Sequence, residues 1–222
     1  MYLIFEFLML LALTGLIAVF DKDLANWIII LKTAASLCFV LTGICGYLQK
    51  KSNGQFSKTM LTAFFCSMAG DILLALDQNQ GIFFILGVVS FAFAHILFSF
   101  AFCRLSPITK KDYAVTAVVF VCLLLLLFLG NFNFQGLLPV LIGYAAIISF
   151  MMVKSLSLFN CKKIKNSAAV LILSGGVLFL LSDIVLLFWL FGIGIPKEVQ
   201  SVNWVLYYLA EGCLAASLSK MD

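Results

Sequence analysis

The chain has 222 residues, 64% of them hydrophobic and only 11% charged, with a formal charge of +4. Soluble domains carry about 45–50% apolar residues, so this sequence has too little polar surface to cover a water-soluble globule. That balance excludes a soluble fold and, since no basic segment has an RNA- or DNA-binding pattern, a nucleic-acid partner.

In a bilayer, backbone groups must pair within a helix or a closed barrel. Apolar runs of about 20 residues without strand-like alternation select helices. In chain order they predict spans at 2–20, 27–48, 58–76, 82–103, 113–129, 137–156, 167–191 and 202–219. The first run has no Lys or Arg ahead of it and is longer than a signal-peptide core, so it reads as a retained helix. The intervening segments, from DKDLAN and QKKSNGQFSK to GIGIPKEVQS, are polar, charged or rich in Gly and Asn, as loops are. The predicted fold is therefore all-α, one transmembrane domain over 1–222 with eight transmembrane helices.

The second, fourth and sixth loops hold Lys50, Lys51 and Lys58, then Arg104, Lys110 and Lys111, then Lys154, Lys162, Lys163 and Lys165, and Lys220 follows the last helix. The odd loops hold only Lys22 and Lys197. The positive-inside rule then puts both termini in the cytoplasm, as an even helix count requires. In a bacterium the location would be the plasma (inner) membrane, with the basic side facing anionic lipid. The seven cysteines show no CxxC pair or His-rich partner segment and read as packing residues.

A weak internal repeat runs through the chain. GDILLAL begins at Gly70 and SDIVLLF at Ser182, placing Asp71 and Asp183 112 positions apart. The same offset carries Lys32 onto Tyr144 and His95 onto Tyr207. This predicts two four-helix repeats, about 1–110 and 111–222, in parallel orientation around an axis along the membrane normal. Leucine matches alone would carry little weight; two aspartates in register inside apolar helices carry more.

A charge at the centre of a helix in lipid costs about 2.5–3.5 kcal/mol even on the mild insertion scale, so it needs a partner, a proton or water. Lys32, Asp71, His95, Asp183 and Glu211 are such residues. At 1.5 Å per residue, Lys32 and Asp71 lie roughly 9 Å inside the non-cytoplasmic boundary and Asp183 about 12 Å, with Glu211 and His95 deeper. Asn203, Tyr207 and Glu211 recur every four residues as one polar stripe; Ser67 shares a face with Asp71, and Ser99 with His95. Together they are expected to surround one cavity in the outer half of the bilayer. Structural roles stay open for each. The aspartates could lock onto Lys32 or hydroxyls, and Lys32 could extend to the interface. His95 could bond a carbonyl, and Glu211 could brace Tyr207 or Tyr208. Two carboxyls sharing one proton supply an acid and a base together, which suits acid-catalysed hydrolysis. One histidine is a thin supply for catalytic zinc, so a metal held by His95 and three carboxylates is the weaker alternative; neither a GxSxG elbow nor a phosphate or dinucleotide loop occurs, and no metal or cofactor is expected.

At these residues the chain resembles the YhhN-like lysoplasmalogenase family of eight-helix membrane proteins. The resemblance covers nearly the whole chain and rests on Lys32, AGDILLAL, FAHILFSF, FLLSDIVLLF and YYLAEGCLAASL in that order. The chain departs from the family pattern at Thr33, where proline is expected, and at Glu211, where glutamine is. The resemblance implies hydrolysis of the vinyl ether bond of lysoplasmalogens to a fatty aldehyde and a glycerophospho-head group. The partners are then a lysophospholipid substrate and membrane lipid. Asp71 and Asp183 become the catalytic pair, with Lys32, His95, Tyr144, Tyr207 and Glu211 supporting them or binding substrate. The rival reading is a proton-coupled transporter or lipid-binding protein using the same cavity. A receptor-like or structural protein is a third. Against transport, Pro107, Pro139 and Pro196 all fall in or near loops rather than breaking a span.

Overall fold

The apolar runs form eight helices in chain order: α1 (Tyr2–Phe20), α2 (Ala25–Lys50), α3 (Gly54–Leu76), α4 (Ile82–Leu105), α5 (Lys110–Leu129), α6 (Leu138–Leu158), α7 (Asn166–Phe191) and α8 (Glu198–Ser217). These come from a computed structural model describing residues 2–20, 22, 24–50, 54–77, 81–159 and 161–221. Asp21, Asp23 and Lys51, read above as loop charges, lie outside the described residues. Most helices run past the predicted apolar stretches by a few residues, because polar residues at a bilayer surface still complete a helical turn.

Among the described residues seven helices are long and apolar enough to cross a membrane, and the chain is an integral multi-pass membrane protein. At 1.5 Å per residue, the 20 residues of α8 reach about 30 Å, so it too has the length to span. It is less apolar because it is an inner helix, burying Asn203, Tyr207, Tyr208 and Glu211 and packing on α7, α2 and α1. The outer helices instead present large apolar side chains outward, among them Phe7, Phe93, Phe100, Val118 and Phe128. Such a surface suits lipid and would aggregate in water.

The most extensive helix pairings are α3 with α4, α7 with α8 and α1 with α2, while α4–α6 and α2–α8 contacts join the first four helices to the last four. Glycine permits two of these approaches. A Cβ on Gly70 would lie 2.7 Å from the Phe91 ring, and one on Gly175 would lie 2.6 Å from Leu214. Small residues at such crossings let helices gain dispersion contacts that lipid does not otherwise favour. Phe39, Phe64, Phe98, Phe179 and Tyr207 interlock edge to face or tilted through the centre. The Lys220 ammonium sits over the Tyr2 ring, so both ends of the chain lie on one face of the bundle, as eight crossings require.

One charge departs from its expected place. Lys154, read as a loop cation, is fully buried in α6. Its Nζ lies 3.1 Å from Asp112 Oδ2 and donates to the Pro107 carbonyl at 3.3 Å. Asp112 also accepts from Ser157 and completes a capping box with Thr109 at the start of α5. The pair ties α5 to α6.

Candidate active site

The polar residues of α2, α3, α7 and α8 converge on a cavity of about 360 Å³. Asp77 after α3, Trp189 near the end of α7 and Gln200 at the start of α8 also line it, so it opens toward the face opposite the chain termini. Helical rise places Lys32 about 10 Å and Asp183 about 12 Å from the helix ends nearest that face. Of the residues singled out in the sequence, Lys32, Asp71, Asp183 and Tyr207 line this space. His95 and Tyr144 reach it through Asp183, and Glu211 is sealed away from it.

The carboxylate of Asp71 is matched on both oxygens. Lys32 Nζ lies 3.4 Å from Oδ1, while Ser36 Oγ and Tyr207 OH donate to Oδ2 at 2.6 Å and 2.7 Å. The Lys32 side chain therefore turns inward rather than extending to the interface. Its carbonyl accepts from Tyr208 OH at 3.3 Å, which pins the turn of α2 that carries it.

Asp183 is held differently. Tyr144 OH donates to its Oδ2 at 3.1 Å, and His95 Nε2 stands 3.3 Å from that oxygen and 2.8 Å from the Tyr144 hydroxyl. Since Tyr144 gives its proton to Asp183, its oxygen accepts from Nε2–H, and the network assigns the imidazole hydrogen to Nε2. Nδ1, buried with no hydrogen-bond partner, fits the unprotonated nitrogen of that tautomer. Both contacts fall on Oδ2, leaving Oδ1 without one among the described residues, and the Asp183 side chain is 14% exposed and lines the cavity.

Among the described residues the hydrogen bonds run within each set, and none joins the two carboxylates. The sets nevertheless correspond. Residues 32, 71 and 207 from α2, α3 and α8 form one; residues 144, 183 and 95 from α6, α7 and α4 form the other, each 112 positions from its counterpart. The polar stripe of α8 divides by depth. Asn203 lines the cavity and donates to the Ser182 carbonyl at 2.8 Å, Tyr207 binds Asp71, and Glu211 lies beyond both. Ser67 is near enough to act on Glu211 electrostatically, yet neither its hydroxyl nor either Glu211 oxygen makes a hydrogen bond of normal geometry. Ser67 thus faces Glu211 rather than holding Asp71. Among the described residues no three His, Cys, Asp or Glu side chains converge as metal ligands would.

Ser36 escaped the sequence reading, although its place one turn after Lys32 puts it on the same face. The model of the YhhN family matches residues 27–218, from the start of α2 to the end of α8, and so includes every residue of both sets. The chain belongs to the YhhN family. This is the lysoplasmalogenase family, so at family level the chain is a lysoplasmalogenase-like membrane protein. No curated protein and no solved structure matches the chain.

Proposed function

We propose that this YhhN-family chain hydrolyses the vinyl ether bond of lysoplasmalogens, with Asp183 carrying the proton and Asp71 serving as a fixed anion that orients water. The observation that carries the reading is the unequal holding of two carboxylates on one cavity. Asp71 is matched by an ammonium and two hydroxyls, which suits a permanent charge. Asp183 has one oxygen without a partner and a side chain that reaches the cavity, which suits a group that must touch substrate.

In this mechanism Asp183 gives its proton to the alkenyl carbon remote from the ether oxygen. The adjacent carbon becomes an oxocarbenium centre, and water held by Asp71 and Tyr207 adds to it. The proton lost by that water restores Asp183, and the hemiacetal collapses to a fatty aldehyde and a glycerophospho-alcohol. One water is consumed and no electron is transferred. Tyr144 and His95 hold Asp183 in place. The matching partner sets support reading 1–110 and 111–222 as two copies of one four-helix unit, later made different where the first carries Lys32 and His95 and the second carries Tyr144 and Tyr207.

The test is aldehyde release from a lysoplasmalogen by purified protein in detergent. Removing a general acid costs about 10²–10⁴ in rate. Asp183→Asn should fall by that much while eluting as a folded, monodisperse protein. Parental activity in Asp183→Asn would remove it from the chemistry.

A further inference from the structure

A second cavity, about 180 Å³, lies between α4, α5, α6 and α7. Its lining is hydrocarbon except at Tyr144 and Asp183. It shares Leu74, Phe84, Phe91, Asp183, Leu186 and Leu190 with the polar cavity, so the two spaces meet at the Asp183 carboxylate. Ile85 and Val140 line this slot and are also 43% and 48% exposed on the outer surface of the bundle. Its wall on the α5 side is loosely braced, because α5 packs chiefly on α6. Ile148, at the inner end, lies ten residues into α6, about 15 Å from where the helix starts.

We propose that this slot receives one hydrocarbon chain of a bilayer lipid, admitted sideways between α4 and α6, while the lipid's polar end occupies the larger cavity. The inference rests on the hydrolase reading and adds to it where the chain lies. A polypeptide helix, about 10–12 Å wide, is too thick for such a slot. Water finds too few polar partners on these walls to be held there. A single chain fits both limits and is what the surrounding bilayer offers. The meeting point also suits the reaction, since the bond to be cut joins an apolar chain to a polar head, and Asp183 stands where apolar and polar spaces join. Leu123, Ala145 and Ile148, at the inner end, then gauge chain length.

A lysophospholipid carrying a diazirine at its chain terminus tests this on the full chain in detergent micelles or lipid nanodiscs. Photolysis and peptide mapping should place cross-links at residues 123–127 or 145–148. Leu123→Trp, on the loosely packed helix, should divert them. The same variant should lower the ratio of long-chain to short-chain kcat/KM about tenfold, the weight of roughly two methylenes kept from an apolar site. Cross-links confined to other helices, or none above the level in a sample kept dark, would overturn the inference. Cross-linking needs no turnover. A chain in the slot without aldehyde release would therefore sink the hydrolase reading alone, and aldehyde release with cross-links elsewhere would sink the slot alone.

Discussion

Glu211 and Asp71 are both buried carboxyls, but among the described residues only Asp71 makes hydrogen bonds of normal geometry. An unpartnered buried polar group costs about 1–3 kcal/mol. A swap to methionine keeps the volume and removes both polar atoms. Glu211→Met is therefore expected to raise the melting temperature in detergent by about 2–12 °C and to leave aldehyde release close to that of the parent, because Glu211 does not reach the cavity. Loss of activity with no gain in melting temperature would return Glu211 to the chemistry. Tyr144→Phe should act in the opposite sense. It deletes the hydroxyl that stabilises the carboxylate Asp183 becomes as it gives up its proton, a hydrogen bond to a charged group worth about 1.5–3 kcal/mol, so aldehyde release should slow by about 10- to 100-fold with little change in melting temperature. The site was legible at this scale because ionisable residues inside apolar helices stand out by their cost. Ser36 did not stand out, since a lone serine in a helix is as often a packing residue. Nor was the division into two partner sets legible, because it depends on how α2, α3, α4, α6, α7 and α8 rotate against one another.

Helices were the most legible level, since a bilayer demands an unbroken apolar run for each span and punctuates the runs with polar loops. α8 shows the limit of that signal: its burial against α7 and α2 lets it carry Asn203, Tyr207 and Glu211, which lower its apolar character. Lys154 shows another. Near the end of α6 it looked like an interfacial cation, and only the packing of α5 brings Asp112 to it. Breaking a buried ion pair by removing one partner costs about 3–5 kcal/mol, whereas replacing both by apolar groups is often neutral. Lys154→Met should thus lower the melting temperature sharply. Lys154→Met combined with Asp112→Leu should recover most of the loss, less about 1 kcal/mol for the capping box that Asp112 completes with Thr109. A thermal-shift series on the two single variants and the double variant reads this directly, and additive losses would mean the two charges do not interact.

For the molecule as a whole, on the proposed hydrolase reading, the end of the bundle at which the cavity opens decides which leaflet supplies the lipid. Tyr2 and Lys220 meet at one end, and Asp77 and Gln200 line the cavity at the other. The cations cluster toward the end that carries the termini: Arg104, Lys110, Lys111, Lys162, Lys163 and Lys165 all flank loops there. A membrane holds such a cluster on its cytoplasmic side, so the cavity is expected to face the outer leaflet. Burial of Lys154 takes one charge from this tally without changing its sign. Glu198 and Lys163 mark the two ends, both on exposed positions. In a background with the seven native cysteines replaced, Glu198→Cys should react with a membrane-impermeant maleimide on intact cells. Lys163→Cys should react only after the membrane is opened. The opposite pattern would invert the protein, place the carboxylates within reach of the cytoplasmic leaflet, and make the inner face the source of the lipid.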